Sequence, residues 1–477
     1  MEACSSDTTR PAPCSVRAAP RESENAAQLC SHLCSVGLEE GRFSDVLLHA
    51  HGRDFAVHKL VLARSPYFRS LLERWTEGSS VALQLQVEGS SAEGVEAALS
   101  WLYGRPAALT AEGVCETLCA AAFLQLDALA SDCASFVTDA LSEANFLRFH
   151  AFAEGANLGP AGDRVRHACW GLLCQRAWCE LRPLLRELPL PNLVALFGSA
   201  ELWCPTEAAR FDLACDCFAR RAGGEERWAA REHPEEAAAL RGVFGRGILY
   251  ATMSFAALTS ARARLTAAGA PPALLAAVAD GLWQQTVLRQ RVLAAGRAQE
   301  GPEESLASEG EGDAAPPVSF RFGVEFAEDP AQLLDGQARH GTEVFFAGSL
   351  WKVSAQAFTA GAETATEAAL AGSTSRLSLR SSQPQQRTLG LFLHRRRADA
   401  PLACEYEDVR ECINARYMLM LAGQRQELGV LVLGTVQSET AVLLPKAPKG
   451  WGWRTVAAMD AVQQPLRVGV VVQLADA

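Results

Sequence analysis

The sequence predicts an α+β multidomain chain: an N-terminal α/β segment, a long all-helical stretch, and a C-terminal antiparallel β-sandwich. Three observations carry this. Between Gly41 and Glu77 two short alternating strands lead straight into a helical run. From about 112 to 222, and again from 244 to 299, apolar residues recur at helical spacing. From Ser319 onward several segments alternate with a period of two, with turn residues between them.

In the first segment Val46 and Leu48 alternate with Asp45 and Leu47, and Phe55 and Val57 with Asp54 and Ala56. His51, Gly52 and Arg53 form the polar turn between two half-buried strands. Leu60, Ala63, Phe68, Leu71 and Leu72 then follow helical spacing, and Pro66 sits where one helix stops and another begins. Residues 1–24, rich in Ser, Pro, Arg and Ala, are expected to be disordered. A short helix follows, with Ala27, Cys30, Leu33, Cys34 and Leu38 on one stripe. The strand VALQLQV (81–87) and the helix SAEGVEAALSWLYG complete the segment, and a helical run to about Leu141 closes it.

The helical stretch places Leu118, Phe123, Leu126, Leu129, Cys133 and Phe136 on a buried stripe. Further on, Thr206 is a candidate helix cap and Glu207 the acid that starts the helix. Residues 223–240, charged and Ala-rich, read as a solvated helix or linker, and 299–318 as an acidic linker rich in Pro, Gly and Ser. Beyond it, Phe320, Phe322, Val324 and Phe326 share one strand face. Trp351, Val353, Ala355 and Ala357 share another, opposite Lys352, Ser354 and Gln356. TLGLFLHRR, INARYMLMLA, LGVLVLGTV and LRVGVVVQL continue the strands, with a long Ser/Thr-rich loop over about 359–387.

Composition narrows the function classes. Lys and Arg number 44 against 55 Asp and Glu, a net charge of -11, which argues against a nucleic-acid binder. No apolar run reaches the roughly 18 residues of a membrane span, and the N-terminus has no apolar signal core, so an intracellular place, cytoplasmic or nuclear, is expected. The 15 cysteines are scattered without a C-x-x-C pair and read as reduced, small buried hydrophobes rather than disulfide or zinc ligands. Neither phosphate-loop and dinucleotide glycine patterns nor metalloprotease and serine-hydrolase motifs occur. No cofactor, metal or catalytic residue is therefore expected.

FSDV, the hairpin, F-x-VHK, LA-x-SPYF and the later Trp101-Leu102-Tyr103 resemble a BTB/POZ domain, assigned to 25–141. The AA-x-FLQ helix, Asn145-Phe146 and the LPLPNLVALFGSAELWCPTEAARF segment resemble a BACK-type helical region, assigned to 142–298. The tryptophan strand, L-G-L-F-L and KGWGWRTV resemble a TRAF-like (MATH) domain, assigned to 319–477, with Trp451 and Trp453 as core residues. Together these imply a non-catalytic adaptor that brings protein clients to a cullin-3 ubiquitin ligase. A dimeric scaffold or transcription-related interaction module that never meets a cullin is the alternative.

The resemblance puts the cullin contact at Trp75, Thr76 and Glu77, with Asn145 to Phe152 in its neighbourhood, and a homodimer seam at Leu29, Leu33 and Leu38. An intramolecular core explains those leucines as well. Asp45 and Lys59 read either as a charge relay or as a structural pair at the core or the seam. His58 is read as structural, and no client-binding residue is assigned. The basic run His394–Arg397 reads as a solvated loop or as a contact for an acidic peptide.

Overall fold

The computed structural model describes residues 19–73, 81–155, 157–222, 234–299, 318–327, 332–333, 336–359, 387–397, 406–425, 430–438, 440–446, 450–462 and 465–475. The chain divides into two units, residues 1–140 with 152–163, and residues 141–151 with 164–477.

In the first unit helix α1 (Ala19–His32) runs into a π-helical turn over Leu33–Glu39. It begins inside the segment expected to be disordered. Strands β1 (Val46–Ala50), β2 (Arg53–Val57) and, after α2 (Lys59–Leu62) and α3 (Pro66–Leu72), β3 (Val81–Leu85) form a sheet of order β2-β1-β3. β1 is antiparallel to β2, with Val46 opposite Val57, and parallel to β3, with Val46 opposite Val81. The period-two pattern puts Val46, Leu48, Phe55, Val57, Leu83 and Leu85 inside. Helices α4 (Ala92–Leu102), α5 (Val114–Phe123) and α6 (Asp127–Ala140) add Val95, Leu99, Leu118, Leu129 and Cys133 to that interior.

Local chemistry fixes where these helices start. Ser65 caps α3: its Oγ accepts the Phe68 N–H at 3.3 Å and donates to the Leu124 carbonyl at 2.7 Å, while Pro66 takes the first helical position. Ser91 caps α4 in the same way, through the Gly94 N–H, and donates to Glu116. Phe123 departs from the expected stripe: it is part-exposed and packs its ring on Tyr67, centroids 4.8 Å apart.

The second unit begins with residues of α7 (Phe146–Gly155) and α8 (Gly159–Arg176). It continues through α9 (Leu190–Gly198), α10 (Glu207–Arg221), α11 (Pro234–Gly242), α12 (Phe255–Ala267) and α13 (Pro272–Gln299). Thr206 caps α10 as expected, accepting the Ala209 N–H at 3.1 Å.

The strands are β4 (Val318–Phe326), β5 (Ala338–His340), β6 (Val344–Phe346), β7 (Ser349–Thr359), β8 (Arg387–Arg397), β9 (Cys412–Arg425), β10 (Val430–Gln437), β11 (Val442–Pro445), β12 (Trp451–Ala458) and β13 (Leu466–Leu474). One antiparallel sheet has the order β10-β9-β13-β4, with β11 on β9. The other has the order β12-β8-β7-β5, with β6 on β7. Both sheets feed one apolar core. Phe320, Phe322, Val324 and Phe326 meet Trp351, Val353, Ala355 and Ala357 there, as the alternation predicts, and Leu288 and Val292 of α13 join them.

Two expectations change. Trp451 is part-exposed rather than core, while Trp453 packs at the edge of the core against Tyr417. β12 makes an irregular pairing with β8 between Trp453 and Ala457, and a side chain at Gly452 would collide with the Leu391 carbonyl. The glycines of GWGW are thus a condition for the strand's close approach, and the tryptophans follow the resulting bend.

Candidate interaction surfaces

In the first unit Leu29 and Leu33, expected at a dimer seam, are 57% and 36% exposed, and Leu38 is half-buried. Cys34 of the same stripe is buried. The stripe therefore splits, with one flank held by the unit itself and the other facing solvent. Phe43 and Leu60, each 87% exposed, add further apolar surface to this unit.

Asp45 and Lys59 do meet, but through the main chain: the Lys59 N–H donates to Asp45 Oδ1 at 2.8 Å at the start of α2. That bond satisfies one of the free amides at a helix start, a structural role. His58 is structural too. Its Nε2 lies 2.9 Å from the Arg42 carbonyl, which only accepts, so that nitrogen carries the proton. Nδ1 then accepts from the Tyr103 hydroxyl at 2.7 Å, and the His58 N–H donates to the same oxygen at 3.1 Å. Burial pushes the Tyr103 phenol up to about 12, so it stays protonated and serves as that donor. Trp75, Thr76 and Glu77, the expected cullin contact, lie outside the described residues.

In the second unit Phe146 and Phe149 are buried, and Phe146 stacks on His150, itself 3.0 Å from the Asn192 amide. Asn145 Oδ1 accepts the Ser142 N–H at 2.8 Å. These side chains of the Asn145–Phe152 neighbourhood hold the fold together, and residues such as Arg148 and Ala151 face outward.

Glu207 does more than start a helix. It is 3% exposed, and its carboxylate takes the Arg321 guanidinium of β4, the Leu249 N–H at 3.0 Å and, at 3.5 Å, Arg210. Arg210 spends its terminal nitrogens on the Phe197, Ser199 and Leu202 carbonyls. Beside it Arg467 of β13 bonds Glu325 at 2.8 Å and Glu180 at 3.3 Å, with its guanidinium over the Trp203 ring at 5.1 Å. The Gly323 N–H donates to the Pro205 carbonyl, and a side chain at Gly323 would come within 2.6 Å of the Cys204 carbonyl. The helices and the β4–β13 edge are thus docked face to face on polar groups. Sequence reasoning missed this. The only signal was that Arg321, Gly323 and Glu325 fall opposite the phenylalanines of β4.

The run His394–Arg397 lies in strand β8, not in a loop. Arg395 is buried and bonds Asp408 at 2.9 Å, Ser349 at 3.0 Å and two carbonyls. Asp408 also holds Arg410. Arg396 pairs with Glu343 and Arg397 with Glu407. The basic cluster is answered within the fold, which leaves Arg395 no donor geometry for a peptide. His394 Nε2 lies 2.8 Å from Ser354 Oγ, and burial, with His340 and Lys352 nearby, lowers its pKa to about 4. This serine–histidine pair is enclosed, Ser354 being fully buried, so it offers no nucleophile to a substrate.

A cleft of about 710 Å³ is bordered by α12, α13, β4 and β6. Exposed Phe255, Leu282 and Phe345 mark its apolar side, while Arg289 stacks over Tyr406 at 5.5 Å. Burial raises the Cys133 and Cys204 thiols to about 12, which leaves them protonated and poor metal ligands. Among the described residues no cluster of three or more His, Cys, Asp or Glu side chains is placed to hold a metal ion, and no helix is long and apolar enough to cross a membrane.

Residues 37–141 match the BTB/POZ domain family. Human Kelch-like protein 21 is 31% identical over 206 residues, 42% of this chain and 31% of that protein. Human Kelch repeat and BTB domain-containing protein 8 is 30% identical over 145 residues, 28% of this chain and 24% of its own length. Mouse germ cell-less protein-like 1 is 27% identical over 168 residues, 34% of this chain and 31% of that protein. The chain spans about a quarter to a third of the length of these curated relatives. The sheet order, the capped SPYF helix and the family match agree: residues 37–141 are a BTB/POZ domain.

Proposed function

We propose that this chain is a non-catalytic, intracellular adaptor that dimerises and engages cullin-3 through its BTB/POZ domain and a BACK-type helical region, and presents clients on a TRAF-like β-sandwich. The observation that carries the reading is the BTB/POZ match joined to an alignment with a Kelch-like protein that is longer than the matched domain. Adaptors of this kind need a self-pairing surface and a second domain for the client. The exposed Leu29 and Leu33 suit the first, and two antiparallel sheets around one core suit the second. Dimerisation would set two client sites side by side and raise their effective concentration. Cullin would be held at Trp75, Thr76 and Glu77, where an aromatic anchor beside an acid fits a groove on a helical partner.

The test is binding of the purified chain to the cullin-3 N-terminal domain, with Trp75→Ala and Glu77→Lys beside it. Either substitution is expected to weaken binding by about 2 kcal/mol or more with the dimer intact. A folded dimer that does not bind at all would replace this reading with the cullin-independent scaffold.

A further inference from the structure

We propose that one ordered water molecule is built into the second unit between Trp203, Arg210 and Glu207, bridging the helices to the β4–β13 edge. A cavity of about 10 Å³ lies among these three residues, Arg321, Phe322 and Gly469. Trp203, Glu207 and Arg210 are 7%, 3% and 2% exposed. Two N–H groups at this place make no hydrogen bond, Trp203 Nε1 and Arg210 Nε, the second lying 3.5 Å from Glu207 Oε1 in an ion pair too long for one.

Both side chains are held in place by their other contacts. The other guanidinium nitrogens of Arg210 are fixed by three carbonyls, so its Nε–H keeps one direction. The Trp203 ring is held beneath the Arg467 guanidinium, and its backbone N–H is bound to the Cys174 carbonyl. A buried N–H without an acceptor is costly, and a site with two donors, a carboxylate and room for one small molecule meets the conditions for internal water. Water accepts from both N–H groups and donates to Glu207 Oε1, which stands 3.5 Å from Arg210 Nε. An anion would accept from the same donors but would face the Glu207 carboxylate in a space sized for water.

The experiment is a water–amide NOE measurement on the full chain with ¹⁵N-labelled indoles, using Trp203→Phe to assign the resonance. It is paired with a high-resolution crystal structure of the unaltered chain. The expected result is a long-lived-water cross-peak on the Trp203 indole, and a single density peak within hydrogen-bond distance of Trp203 Nε1, Arg210 Nε and Glu207. A cavity without density, an indole N–H that donates directly to a protein carbonyl, or an anomalous peak there after a bromide soak would each overturn the proposal. If Trp203→Phe does not fold, the density in the unaltered chain decides alone.

Discussion

Glu207 and Asp408 are buried carboxylates that each answer two guanidinium groups, and the fold leans on both. Asp408 holds Arg395 and Arg410, with all three nearly inaccessible. Asp408→Asn keeps the shape but takes the carboxylate charge away from two buried cations. A loss of about 3–5 kcal/mol is expected, read from the urea midpoint. His394 gives a pH dependence whose direction follows from its lowered pKa. The unfolded imidazole titrates near 6.5 and the folded one at about 4. Stability is therefore full above pH 6.5 and falls as the pH drops toward 4, by on the order of 3 kcal/mol. His394→Gln retains a partner for Ser354 without a titrating group and is expected to flatten that slope. An unchanged slope in the variant would assign the titration to other groups. Residues like these were visible in the sequence as types only: HRRR looked like a basic run because spacing along a strand does not reveal what covers its outer face.

At the scale of elements, period and capping chemistry were legible. The strands around Phe320, Trp351, Leu391 and Val470 read correctly because alternation is a local property of an extended chain with one dry face. The three short strands β5, β6 and β11 carried too few residues for any period to register. Ser65 was legible as part of SPYF, but its second bond, to the Leu124 carbonyl, joins distant segments. Ser65→Ala is expected to cost about 2 kcal/mol, the upper range for a cap, because that buried carbonyl also loses its donor. Helix α1 and the turn after it behave differently, since the outward Leu29 and Leu33 contribute little to the single unit. Leu29→Glu with Leu33→Glu is expected to weaken self-association ~10-fold or more while leaving the circular dichroism spectrum unchanged, as measured by sedimentation. A dimer that survives this double change would place the seam elsewhere.

For the whole molecule, the sequence divides the chain at an acidic linker, yet the helices before it and the sheets after it belong to one unit. Glu207–Arg321, Glu180–Arg467 and the Leu288–Val292 face of α13 join them. A fragment beginning at Val318 would expose Arg321, Arg467 and the apolar ground under α13. It is expected to be less stable than the same sheets in the full chain, with a melting point lower by several degrees. The sequence by itself determined the BTB/POZ domain, the helical stretch and most of the strands, because each is written in short-range patterns of polarity, turn residues and caps. Only the tertiary structure decided that Glu207 is a docking group, that the basic run is already paired and that the sheets are mounted on the helices. Those outcomes depend on charges from different elements meeting, 13 residues apart for Arg395 and Asp408 and 114 for Glu207 and Arg321, and nothing in local spacing encodes which opposite charge will be there.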